Sequence, residues 1–484
     1  MTGAGVVAAC GSNSAPGPTA TAGSGGASAG TGGSTAGGKG GGVSAGGGGA
    51  SGHTGTAGTG GTPAEAGAAG DGSNNEGGAA GAAPELLGPY ADVQFPADNL
   101  YDADKAMLGK VLFWDEQMSS DDTVACGTCH RTESGGSDPR AASPSAGRHP
   151  GADGILGTAD DVHGAMGIKR CQITNGNVVY ISDPVFGMNV QVTRRKPPSY
   201  LDAMLAPEIF WDGRAKDFKD PVDGTLLTAH PLEAQALGPP VGSAEMACDA
   251  RTWTDVVAKL QTASPLALAH DLPADMRTWL DTHLDANGTY PALFRAVYGT
   301  PEISAKRVVF AIATHERRLM SSETPWDHYM AGEKTALSPA QISGWSKFQK
   351  VGCTTCHAPP LFSDKAFHNL GFIADSQYDL GRFEVTANAA DKGRVKTATV
   401  RNVGLREASG LLHYGFGPGA SLETLMAAYN NPPKLGNFDT LMIPLVMTDA
   451  EITDMIDFMR NGLTDPRVKA ALPPFDRPKL GSEQ

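Results

Sequence analysis

Apolar residues recur at helical spacing in several stretches of the chain, while sustained alternation of strand type is almost missing. Within 304–320, Val308, Val309, Ile312 and Ala313 fall on one side of a helix. The stretch SPAQISGWSKFQK (338–350) has Ser338 as N-cap, Pro339 in the first turn and Gln341 three beyond the cap. That capping box predicts a helix delivering the chain to Cys353. A second box, Thr448 with Glu451, opens a helix in which Ile452, Met455, Ile456 and Met459 recur at helical spacing. Leu422, Leu425, Met426 and Tyr429 share one face of another. Long Pro/Gly-rich connections lie between these segments, so the pattern predicts a mainly α fold with much irregular chain.

Composition changes the picture at the start of the chain. Positions 11–84 are Gly, Ser, Ala and Thr with almost no large apolar side chain. Such a stretch cannot bury enough surface to offset its ordering entropy, and it reads as a disordered linker. The roughly 400 residues that follow fit two domains, 85–320 and 321–465, with an insertion at about 131–194 and a tail at 466–484. The net charge of -14 is spread rather than clustered, and no Lys/Arg cluster reads as a phosphate-binding surface. This argues against nucleic acid as a partner and for solubility or a basic protein partner. No run of apolar residues is long enough to span a membrane.

The candidate chemistry lies in two short motifs. Cys126, Cys129 and His130 stand in ACGTCH, and Cys353, Cys356 and His357 in GCTTCH. Cys-x-x-Cys-His is the attachment pattern of c-type haem: two thiols add to the vinyl groups of one porphyrin, and the histidine ligates the iron. A zinc site would need four closed ligands, which neither motif supplies alone. A redox dithiol would want a βαβ context, which neither has. Two covalent haems leave two functions open. A carrier fills both axial positions of each iron, whereas an enzyme leaves one face open and places acid–base groups there.

The two motifs, together with FWDGRA (210–215), LEAQALGP and AEM within 232–246, VRNVGL (400–405) and LLHYG before SLETLMAAYN, resemble the bacterial dihaem cytochrome c peroxidase/MauG family from about residue 95 to 465. The resemblance implies two cytochrome c-like haem domains, peroxide-reactive at the N-terminal haem and electron-relaying at the C-terminal one. Hydrogen peroxide is then the substrate, and a small electron-donor cytochrome or copper protein the reductant. Gln235 and Glu245 match the distal pocket, where Glu245 moves the proton between the peroxide oxygens. Trp211 matches a tryptophan between the haems, and His413 a histidine near the C-terminal haem. The outer ligand of that haem falls at Tyr429, with Met426 one turn earlier as competitor. A tyrosine there points to the alternative function, MauG-like oxidation of tryptophan in a partner protein.

Several features depart from the family. Lys196 stands where the family has an asparagine that helps bind calcium between the domains, so that calcium is not expected. The insertion holds DGILGTADD, whose Asp153, Asp160 and Asp161 are candidate calcium ligands. His149 and His163 are its only candidates for a histidine blocking the peroxide site. Val7-Ala8-Ala9-Cys10 resembles the lipobox of bacterial lipoproteins, although the stretch lacks a positive start and a long apolar region. It implies a periplasmic or outer-membrane-anchored protein held through Cys10. Cys171 and Cys248 remain, and in an exported protein they are expected to pair and staple the insertion to the N-terminal domain.

Overall fold

A computed structural model describes residues 93–143, 147–373 and 379–483. The lipobox and the Gly/Ser-rich segment, with the expectations placed on them, lie outside those residues, and everything described falls in one compact unit.

The predicted helices form at Ala305–Glu316, Pro339–Lys350, Leu422–Asn430 and Asp449–Asp457. Ser338 Oγ accepts from the Gln341 amide at 3.1 Å and Gln341 returns the bond, as the capping box requires. The first helix stops short of residue 320 because Arg317 is drawn into a two-pronged pair with Glu233, at 2.6 and 2.9 Å. The last widens into a π turn at Phe458–Gly462, which takes Met459 out of the α pattern. Strands are two to four residues long and pair only in antiparallel twos among the described residues.

Two apolar cores form. The first joins the Ala103–Phe113 helix to Ala305–Glu316, burying Leu108, Leu112, Val308 and Ile312. The helices touch at Gly109, where a Cβ would come within 1.9 Å of the Ala311 carbonyl oxygen. The second core gathers Trp326, Trp345, Phe348, Phe362, Met426 and Phe458 and ends at Leu463. Residues 466–483, expected as a tail, instead pack inward. Val468, Phe475 and Leu480 return to the first core and are fully buried there. Each such side chain contributes about 1.5–3 kcal/mol, which is why the segment folds back.

The insertion is built from three small hairpins. Cys171 pairs with Tyr180 across one of them, and its sulfur is bonded to Cys248, as expected. A second strand, Met166–Lys169, lies against residues 244 and 245: the Ile168 amide donates to the Glu245 carbonyl at 3.1 Å. Gln191 reaches the Ser243 carbonyl at 2.7 Å from the opposite strand. The insertion thereby braces the loop that carries Glu245.

Candidate active site

Cys126–Cys129 form a single helical turn, with the Ala125 amide capped by Thr128 Oγ1 at 2.8 Å. Gly127 presses on Trp114, where a Cβ would sit 2.1 Å from the ring, so no larger residue fits. His130 follows with Nδ1 3.2 Å from the Gly136 carbonyl. An Nδ1–H donated there leaves Nε2 bare for a metal. The C-terminal motif reaches the same arrangement by another route, a 3₁₀ turn at Cys353–Thr355, with His357 Nδ1 3.1 Å from the Phe362 carbonyl. All four motif thiols are free, whereas Cys171 and Cys248 are bonded. Burial raises the Cys126, Cys129 and Cys353 thiols, pushing Cys129 and Cys353 up to about 12.

Glu245 belongs to the N-terminal motif: its charge acts on both Cys126 and Cys129. Burial raises its carboxyl above the usual range against a smaller opposing pull from Arg214. Its side chain is half-buried. Gln235 ends the short Pro231–Ala236 helix, and successive turns through Gly238 and Gly242 carry the chain from it to Glu245.

At the other motif, a cavity of about 500 Å³ is lined by Cys353, Cys356, His357, Met426, Tyr429 and His413. That is the size range of cofactor sites. Tyr429 packs edge-on against Phe372 at 5.3 Å, and its hydroxyl is pushed up by burial and by the two thiols. Met426, one turn earlier, is 3% exposed within the second core. Trp211 and His413 stand together on the wall, ring centroids 5.9 Å apart. The indole Nε1–H donates to the Lys196 carbonyl at 2.8 Å, and the Lys196 amide donates to the His413 carbonyl at 3.0 Å. Burial pulls the His413 imidazole down to about 4, so it is neutral at working pH despite Asp379 nearby.

The family model described as "Di-haem cytochrome c peroxidase" matches residues 103–335. The chain is 27% identical over 310 residues to the cytochrome c peroxidase of Escherichia coli, covering 63% of this chain and 49% of that protein, so it spans about half the length of that relative. It is 28% identical over 377 residues to the methylamine utilization protein MauG of Methylorubrum extorquens, covering 77% and 82%. Among solved structures, a MauG-like protein associated with microbial copper homeostasis superposes with a TM-score of 0.54 at 22% identity, over 80% of this chain and 96% of that one. The dihaem peroxidase BthA of Burkholderia thailandensis gives 0.52 at 19% identity, over 79% and 91%. The chain belongs to the dihaem cytochrome c peroxidase/MauG family.

Membership implies covalently bound c-type haems, and the residues fit them. Each motif offers two unbonded thiols and an imidazole whose Nε2 is left free, and at the second they open on the cavity. Calcium fits less well. Asp153, Asp160 and Asp161 do not converge on one point: Asp153 accepts from the Ile155 amide, Asp160 from Asp153 and Thr158, and Asp161 from Gly157 while pairing with Arg148. Their oxygens are spent on turns of the insertion. His149 packs on Phe186 and His163 on Phe416.

Sequence reasoning missed Glu316 and His368. Glu316 is buried with Oε2 unpartnered, and its carboxyl rises to about 8, through burial first and Glu233 in addition, against Arg317. Its charge acts on Cys126 and Tyr200. His368 stands between Asp439 at 2.6 Å and Asp364 at 2.9 Å, beside Cys356. Neither lies in a spaced motif; only the fold brings them to the sites.

Proposed function

We propose that the protein reduces hydrogen peroxide to water on the His130 side, H2O2 + 2 H⁺ + 2 e⁻ → 2 H2O, with electrons entering from a small donor protein on the His357 side. Haem bound at each motif supplies the redox iron. The observation that carries the reading is Glu245, a desolvated carboxyl on a braced loop within electrostatic reach of both thiols of the N-terminal motif. A carboxyl raised by burial holds a proton more readily than a free one, which suits proton exchange between the two peroxide oxygens. Gln235 supplies an amide for hydrogen bonding to the peroxide. Trp211, fixed by its indole N–H, links the two sides. Stopped-flow addition of peroxide to the haem-loaded protein, with and without a reduced small cytochrome, tests this. A high-spin ferric signal that bleaches rapidly supports the enzyme; two low-spin haems inert to peroxide make it an electron carrier.

Tyr429 favours a second reading. Its hydroxyl feels both Cys353 and Cys356, whereas Met426 is a member of the apolar core. A phenolate ligand stabilises the ferric and higher states relative to a thioether. Tyr429 as outer ligand suits oxidation of tryptophan in a partner protein. The periplasm is the compartment that both readings and the Cys171–Cys248 disulfide fit.

A further inference from the structure

The cavity beside His357 is lined by three cations that lack an acid: Lys196, Lys396 and Arg406. Lys196 Nζ donates to Ser409 Oγ at 3.1 Å and to the Gly410 carbonyl, and Lys396 Nζ donates to the Glu208 carbonyl at 2.9 Å. Arg406 donates to the carbonyls of Arg401, at 2.7 Å, and Thr399. Among the described residues no carboxylate lies within ion-pair distance of any of the three. Other buried cations of this protein are paired: Arg401 with Asp327, Arg317 with Glu233, Arg195 with Asp379 and Asp212. Lys196 and Arg406 are only 3% and 7% exposed. Buried cations without counter-charge are costly and are retained where an anion completes them.

We propose that Lys196, Lys396 and Arg406 are the binding site for the two propionates of the C-terminal haem. A porphyrin bound through Cys353 and Cys356 brings two carboxylates into this cavity, and these are the acids the three cations lack. Burial already draws Lys196 down to about 7, Lys396 to about 8 and Arg406 to about 10. The other charged groups acting on them are Asp138 on Lys196, Glu208 and Asp212 on Lys396, and Asp202 on Arg406, with Arg406 also opposing Lys196. Paired propionates would restore all three to full charge. The remaining cationic side chains on this wall serve otherwise, His368 being held by Asp364 and Asp439 and Lys365 being exposed.

The site has an orienting consequence. Lys196 accepts the Trp211 indole N–H on its carbonyl, and the Lys396 amide donates to the Trp211 carbonyl at 2.7 Å. The two residues whose side chains hold the propionates hold Trp211 with their backbones. A haem held there would turn its propionate edge toward Trp211.

The inference rests on the C-terminal haem and not on peroxide chemistry, so its readout is the haem itself. Resonance Raman spectra of protein carrying two haems by pyridine haemochrome assay report the propionate bending bands, and a redox titration reports the midpoint potential. Lys196→Met and Lys396→Met are each expected to shift the propionate bands of one haem and lower its potential, because a cation no longer offsets the carboxylate. Lys396→Arg is expected to restore the bands. If one Met variant fails to load haem, the other decides. Unmoved bands in a loaded Met variant overturn the proposal even where the potential falls, since a distant charge changes potential without touching propionate. A wild-type protein lacking haem at Cys353 and Cys356 would overturn both this site and the dihaem reading.

Discussion

The two haem motifs share a sequence pattern and a histidine tautomer, yet their surroundings are opposite in charge. Around Cys126–His130 the unpaired buried groups are acids, Glu245 and Glu316; around Cys353–His357 they are the cations Lys196, Lys396 and Arg406. Acids raised by burial can hold and pass protons, which the proposed peroxide side needs. Buried cations without a counter-charge stabilise added electrons and paired carboxylates, which suits the half proposed to receive electrons. The difference is made by environment alone, since the motifs themselves are nearly identical.

The largest test of this contrast is Glu245→Gln. Peroxide turnover should fall about 10²–10⁴-fold with haem content unchanged, measured by stopped-flow absorbance. Retained turnover would move the acid role to Glu316. Next is the packing of the motifs: Gly127→Ala pushes a methyl into Trp114, which is 2% exposed and cannot retreat, so a loss of about 3 kcal/mol by denaturant titration is expected. The equivalent Thr354→Ala, on a half-exposed turn, should cost less than about 1 kcal/mol.

Glu316→Gln tests the acidic side by pH. A carboxyl raised from 4.5 to about 8 contributes stability that is full below its unfolded value and lost as pH rises through about 8. The variant should therefore gain on the wild type between pH 5 and 8, by on the order of 2 kcal/mol, seen as a growing difference in Tm. The smallest effect on stability comes at the cationic side. Tyr429→Phe should alter the spectrum and potential of the C-terminal haem while Met426→Leu leaves both nearly unchanged; the reverse outcome makes Met426 the ligand.

Much of this was legible in the chain. The motifs, the capping boxes at Ser338 and Thr448 and the Leu422–Tyr429 face are local patterns, and local patterns survive folding. Lys196 could be seen as out of place, but its reach to Ser409 and Gly410 depends on contacts more than 200 residues away in sequence. Glu316 reads as the polar end of a helix; only the packing of Ala305–Glu316 against Ala103–Phe113 buries it. The insertion is expected to be stapled to the N-terminal domain, but nothing in its own residues announces that it braces Glu245.

The return of residues 466–483 sets an order of assembly. Arg477 lies over the Trp114 ring at 5.3 Å and pairs with Glu133 at 2.6 Å, Arg131 pairs with Glu483, and Glu116 accepts the Gly481 amide at 2.8 Å. The packing around the first motif is thus completed by residues more than 300 positions downstream. ACGTCH is synthesised long before those residues, so its enclosure cannot close until they are made, and its thiols stay accessible for attachment meanwhile. The segment acts as a latch, and a chain lacking Phe475 to Glu483 should keep that first motif exposed to protease after the second half has folded.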